Sequence, residues 1–135
     1  IRQYFERFRG VKRWIELTKK FAHENGYTQT LLGRKRYHSD INCGVRWKEQ
    51  KAERELVNHP IQGSAAEIIK ELLARLYEKG EVQVNTVHDS SLDEVELGRE
   101  LDYNVAFGLA PFRTPVTVRR GNNWKDMTEI MTVGF

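Results

Sequence analysis

Asp89 carries the strongest chemical possibility in this 135-residue chain. It lies in Val87-His88-Asp89-Ser90, between two β-prone stretches, so the pattern places it at the tip of a hairpin. A carboxylate there has two readings. It can cap its own turn amides, the common use of a turn aspartate. It can also act as a general base or as a ligand for a hard cation such as Mg²⁺, which prefers carboxylate oxygen. His88 beside it could contact a phosphate or simply pack. Asp93 and Glu94 are the nearby acids, either solvated or available to Asp89.

A second set of residues suits nucleic acid. Arg54, Asn58 and Gln62 recur every four residues and would share one face of a continuous helix. Asn and Gln both donate and accept hydrogen bonds, and Arg is a fork of donors, a mix that fits groove edges and sugar–phosphate oxygens. The plain alternative is a solvated helix surface, and Pro60 weakens the periodicity. Lys48, Lys51 and Lys70 could add phosphate contacts. Arg34-Lys35-Arg36-Tyr37 reads as a compact basic loop, able to hold phosphate backbone or only to be solvated. Trp14, Trp47 and Trp124 could stack on bases, although lone tryptophans more often pack in a core. Cys43 has no His or Cys partner at metal-binding spacing and reads as inert.

The elements that must position these groups follow from periodicity. Apolar residues from Tyr4 to Ala22 recur at three- and four-residue steps, which predicts a helix over 4–25 with a weak point at Gly10 and a stop at Asn25-Gly26. Residues 27–32 are β-prone and end at Gly33. A charged helix over 45–58 is expected to stop near Pro60, which biases His59 away from helix. A second helix over 62–79 would begin with a Ser64–Glu67 capping box. Residues 82–87 alternate like a half-buried strand, and 91–95 would return beside it. A helix over 97–108, with Leu101, Val105 and Leu109 inward, and a strand over 115–119 complete the pattern. The turn Gly121-Asn122-Asn123-Trp124 follows. The class is α+β, helices with a small antiparallel sheet.

Composition narrows the classes. Net charge is +3, but it is segregated. Residues 1–54 hold 14 basic and 6 acidic side chains, and residues 55–105 hold 4 and 11. At 39% hydrophobic and 10% aromatic residues the chain can bury a core. No apolar run approaches the ~18 residues that span a bilayer. The single cysteine excludes an internal disulfide and fits a reducing compartment. The chain starts at Ile1 rather than Met, so a fragment or processed product is expected.

Four stretches, in order, resemble the C-terminal part of a family A, DNA polymerase I-like, DNA polymerase. They are Tyr4 to Lys12 with Trp14-Ile15-Glu16; Gly26-Tyr27 with Thr30 to Tyr37 and Asp40-Ile41-Asn42; Ala52-Glu53-Arg54 with Asn58 to Lys70; and Val87-His88-Asp89, which looks like the family's motif C. Gly121 to Trp124 matches a late Gly…Trp element. The resemblance implies that Asp89 is a ligand of catalytic Mg²⁺ and that His88 lies near the primer terminus. By the same resemblance Arg54, Asn58 and Gln62 line the primer–template, and Arg34, Lys35 and Arg36 sit on the duplex-binding side. Ser90 stands where many members have an auxiliary Glu. The implied fold is the C-terminal palm with a fingers-side helix over 1–135, without a complete second domain. Implied partners are primer–template DNA, dNTPs and an upstream region or second chain carrying motifs A and B, in the cytoplasm of a bacterial or phage-infected cell, with no membrane. Trp14, Phe5 and Phe8 are expected to expose apolar surface for such a partner. Two-metal nucleotidyl transfer needs more than one carboxylate, so the chain alone is expected not to polymerise. Two other classes stay open. One is a non-catalytic DNA-binding remnant. The other is a metal phosphoesterase using Asp89 with Asp93 or Glu94.

Overall fold

The structure, a computed structural model, describes residues 2–96, 99, 102, 105 and 108–133. It forms two compact units, Ile1–Ala65 and Ala66–Phe135.

In the first unit the apolar spacing from Tyr4 onward makes helix, but in two pieces: α1 (Arg2–Arg7) and α2 (Arg9–Asn25). The break falls at Phe8 rather than at Gly10. Phe8 has φ −112° and ψ 62°, and its ring packs 4.9 Å from that of Tyr4. Gly10 stays helical, because a missing side chain weakens a helix without forbidding it. The end of α2 matches its sequence signal. Gly26 turns left-handed at φ 76°, and its N–H donates to the Ala22 carbonyl at 2.8 Å.

Strands β1 (Tyr27–Gln29) and β2 (Lys35–Tyr37) then pair antiparallel, Tyr27 opposite Tyr37. The basic run is therefore mostly strand, not loop, and the loop is 30–34. Cross-strand packing explains the difference. The Tyr27 and Tyr37 rings lie 5.1 Å apart, and Lys35 Nζ sits 4.4 Å over Tyr27.

After a 3₁₀ turn (Ser39–Asn42) comes α3 (Arg46–Glu78), one helix of 33 residues with Pro60 inside it. The expected stop at Pro60 does not occur, nor does His59 leave the helix. A proline removes the N–H that would bond the carbonyl four residues back, here that of Leu56. That carbonyl instead accepts from Thr28 Oγ1 at 2.8 Å. The Ser64–Glu67 capping box is also absent, since Ser64 lies inside a continuous helix.

Ala22, Ile41, Ala52 and Leu56 form the buried core of this unit. His23 ties its elements together. Its Nε2 donates to Glu53 Oε1 at 3.0 Å, and its Nδ1 faces Asn42 Oδ1 at 2.8 Å. Asn42 Nδ2 donates to the His23 carbonyl, which fixes the amide so that oxygen meets the ring. Two acceptors require two ring protons, so the geometry favours imidazolium. The hydrogen bond to Glu53, then that to Asn42, raises His23 above its ordinary 6.5 against the opposing effect of burial. Lys19, 2.7 Å away, and then His23 lower Glu53 below its ordinary 4.5.

In the second unit Leu72 and Leu76 of α3 pack with Val105 and Leu109, and Ile68, Ile69 and Val116 lie against them. The helix expected over 97–108 falls largely outside the described residues, Leu101 among them. Val105 and Leu109, its other two inward positions, are both buried. Strands β3 (Val82–Val87) and β4 (Ser90–Glu94) form the expected hairpin, with a bulge at Val84 between the paired Gln83 and Asn85. β3 is not half-buried. Only Gln83 is partly covered, and Val82, Val84 and Val87 are exposed. Gln83 Nε2 holds the strand to the Leu73 carbonyl of α3 at 2.5 Å. β5 (Val116–Arg120) pairs with β6 (Thr128–Val133), a strand the sequence pattern did not single out because Ile130 and Met131 are adjacent rather than alternating. The link between them turns at Asn123, whose Oδ1 accepts from the amides of Lys125 and Asp126. The result is α+β, with small antiparallel sheets of two strands each. Among the described residues no helix is long and apolar enough to cross a membrane.

Candidate functional site

Asp89 occupies a two-residue turn. Val87 pairs with Ser90, which leaves His88 and Asp89 alone at the tip. His88 has φ 55°, the only non-glycine residue with positive φ among those described. A left-handed residue of this kind costs about 1–2 kcal/mol, although His tolerates it better than most. Ser90 Oγ donates to the Val87 carbonyl at 2.8 Å and steadies the turn. Ser90 thus serves the backbone. His88 is exposed rather than packed, and Asp89 is exposed beside it. Among the described residues no hydrogen bond or ion pair engages the Asp89 carboxylate, unlike an aspartate that caps its own turn.

Asp93 does not join it. It pairs across the ladder with Gln83, four residues along β4 from Asp89, or about 13 Å at strand rise. Its carboxyl accepts from Ser91 Oγ at 3.0 Å and is half-buried. Burial, aided by the negative charge of Glu81, raises its pKa against the pull of Ser91. Glu94 lies one residue farther. Two-metal chemistry places its ions only ~3.5–4 Å apart and needs carboxylates gathered around them. With Asp93 half-buried and bonded to Ser91, the self-sufficient phosphoesterase reading gains no support here. Among the described residues no group of three or more His, Cys, Asp or Glu side chains could hold a metal ion.

The first unit holds the other candidates. Because α3 continues through Pro60, Arg54, Asn58 and Gln62 do lie on one helix face, and all three are exposed. Arg34, Lys35 and Arg36 are exposed too, but not all are uncommitted. Arg36 Nη2 donates to Glu55 Oε2 at 2.5 Å, and Lys35 rests on Tyr27. An exposed pair of this kind contributes roughly 0–1 kcal/mol, which a phosphate could replace. Lys48 and Lys70 project from α3, while Lys51 approaches Glu55 at 4.0 Å. None of the three tryptophans is core. Trp14, Trp47 and Trp124 are 36%, 65% and 59% exposed.

Sequence reasoning missed Thr28, Gly63 and the tertiary use of Ser64. Ser64 Oγ accepts the Leu31 N–H at 2.8 Å and donates to the Pro60 carbonyl. The available signal was Pro60 itself. A proline within a helix orphans a carbonyl, which then needs a donor from elsewhere.

Comparison with known proteins decides the family. The sequence profile of DNA polymerase family A matches residues 1–104. The chain belongs to this family. It is 35% identical to the thermostable DNA polymerase I of Thermus thermophilus, over 96% of this chain and 17% of that protein. It is 36% identical to DNA polymerase I of Caldicellulosiruptor bescii, over 92% of this chain and 16% of that protein. Among solved structures it resembles the POL domain of Pol1 from M. smegmatis, in complex with DNA primer–template and dNTP. The TM-score is 0.64 at 39% identity, covering 71% of this chain and 18% of that one. This family A chain therefore spans about one sixth of the length of the relatives it matches.

Proposed function

We propose that this chain is the C-terminal palm portion, with a fingers-side helix, of a family A DNA polymerase, and that it takes part in DNA-directed nucleotidyl transfer onto a primer 3′-hydroxyl. The observation that supports this best is the uncommitted Asp89 carboxylate on a two-residue hairpin tip, in a chain of this family. An exposed carboxylate fits a hard divalent cation. Asp89 would be one ligand to Mg²⁺, which when bound supplies Lewis-acid stabilisation of the reacting oxygens. His88 would contact the primer terminus, and its strained backbone fixes where both side chains emerge. Ser90, bonded to Val87, would hold the turn rather than the metal.

Arg54, Asn58 and Gln62 would follow the primer–template, with Arg34, Lys35 and Arg36 holding its phosphates. The remaining carboxylates and the nucleotide-binding groups would come from a region carrying motifs A and B, upstream or on a second chain. The bare valines of β3 and the apolar line of Tyr4, Phe8, Val11 and Trp14 are surfaces such a region would cover.

Complementation tests this. The chain is incubated with primer–template, dNTPs and Mg²⁺, with and without a polypeptide bearing motifs A and B. Extension is expected only with both, and Asp89→Ala should remove it. Robust extension by the chain alone would refute the need for a partner region. Duplex binding with no rescued synthesis would favour a non-catalytic DNA-binding remnant.

A further inference from the structure

We propose that the hydroxyls of Thr28 and Ser64 are positioning groups that lock the β1–β2 hairpin onto the Pro60 turn of α3. The lock would keep Arg34, Lys35 and Arg36 in fixed register with Arg54, Asn58 and Gln62, so that one duplex meets strand and helix together. The inference rests on the reading of those six residues as a DNA-contacting surface.

The lock begins with the proline. Pro60 leaves the Leu56 carbonyl without its helical donor, and Leu56 is fully buried, so water cannot replace it. Thr28, itself 2% exposed, supplies the proton from Oγ1. One turn on, Ser64 uses its hydroxyl twice. It donates to the Pro60 carbonyl and accepts the N–H of Leu31 in the hairpin loop. Between these points Gly63 admits the loop. A Cβ there would stand 2.5 Å from Thr30 Cγ2 and 3.2 Å from His59 Cε1. His59 Nε2 closes the set by donating to the Arg34 carbonyl at 3.3 Å.

Every one of these contacts falls on the stretch of α3 that carries Asn58 and Gln62. The hairpin itself has three residues per strand, and a two-stranded hairpin is at best marginal alone. Its ladder fixes its own pairing but not its place against the helix. Two hydroxyls, one imidazole and the absence of a Cβ set that place, with the exposed Arg36–Glu55 pair beside them. The docked hairpin carries the exposed basic run, and Arg36, opposite Thr28 in the ladder, reaches Glu55 of the same helix. A proline kink would ordinarily let the helix bend at this point. Here the proline turn is the docking point.

The test uses the full chain and a fluorescent primer–template duplex, with affinity measured against salt concentration. The slope reports how many phosphates are neutralised, at roughly 0.9 per phosphate. Thr28→Val, which keeps the shape and removes the hydroxyl, should weaken binding severalfold and lower the slope by about 1–2. Thr28→Ser should restore both. Ser64→Ala gives the same readout should Thr28→Val fail to fold, and it should also unprotect the Leu31 amide in hydrogen exchange. Pro60→Ala, which returns an N–H to Leu56, should reduce the penalty of Thr28→Val. A folded Thr28→Val or Ser64→Ala chain that binds with unchanged slope overturns the proposal, since the role is then only structural. If the unaltered chain shows no salt-dependent duplex binding, the DNA reading fails instead. Leu31 protection would then still report the lock independently.

Discussion

The Pro60 segment of α3 and the tip of the β3–β4 hairpin both present candidate functional side chains, and they do so by opposite means. Around Pro60, a buried threonine and half-buried groups beside it do the holding. Thr28, Ser64, His59 and Gly63 fix the backbone from within, and Asn58 and Gln62 are left outward. At the hairpin tip almost nothing is buried. Asp89 depends on a two-residue turn, a strained His88 and one hydrogen bond from Ser90. The first region is therefore sensitive to its interior. The second is sensitive to the identity of its exposed side chains, and its strand face is exposed.

The largest expected effect sits at the tip. On the proposed role as a metal ligand, Asp89→Ala should abolish rescued primer extension, while stability stays within about 0.5 kcal/mol, as for other surface changes. Retained extension would remove Asp89 from the metal site. Next is the interior of the Pro60 segment. Leu56→Ala should destabilise the fold by about 2–5 kcal/mol, whereas Val84→Ala on exposed β3 should change it by about 0.5 kcal/mol or less. Chemical denaturation compares the two. Equal losses would mean that the hairpin face is covered after all.

A smaller effect concerns the helix face. Arg54→Ala should lower the salt slope of duplex binding by about 1 without altering the melting temperature. An unchanged slope would leave this face merely solvated.

The smallest is a pH dependence in the first unit. His23 has a raised folded pKa, so its contribution is complete below 6.5 and is lost as pH rises through that raised value. Glu53 has a lowered one, so its contribution is complete above 4.5 and is lost as pH falls through the lowered value. Both are complete between 4.5 and 6.5, where thermal stability should peak. The pair is partly exposed and contributes about 1 kcal/mol or less. His23→Gln should flatten the alkaline side of the profile. An unaltered alkaline side would show that the imidazolium contact contributes nothing.

Local chemistry made much of this legible. Asn25-Gly26 ended α2 because a left-handed glycine closes a helix wherever it stands. The β3–β4 hairpin was readable within a residue, since alternation and a two-residue turn are properties of neighbouring residues. The break at Phe8 was not readable, because no glycine or proline stands at that residue to mark it. The basic run became strand through Tyr27 and Tyr37, ten positions apart. The three tryptophans lie outside the core because residue type gives hydrophobicity but not what stands opposite.

The sequence by itself determined the end of α2, the hairpin that bears Asp89 and the family to which the chain belongs, since each is written in short-range pattern or in whole motifs. Only the tertiary structure decided whether Arg54, Asn58 and Gln62 share a face. That answer hung on Pro60, and nothing within four residues of a proline can show that a threonine 32 positions earlier supplies the missing hydrogen bond. Distant donors are chosen by folding, and a linear reading has no term for them.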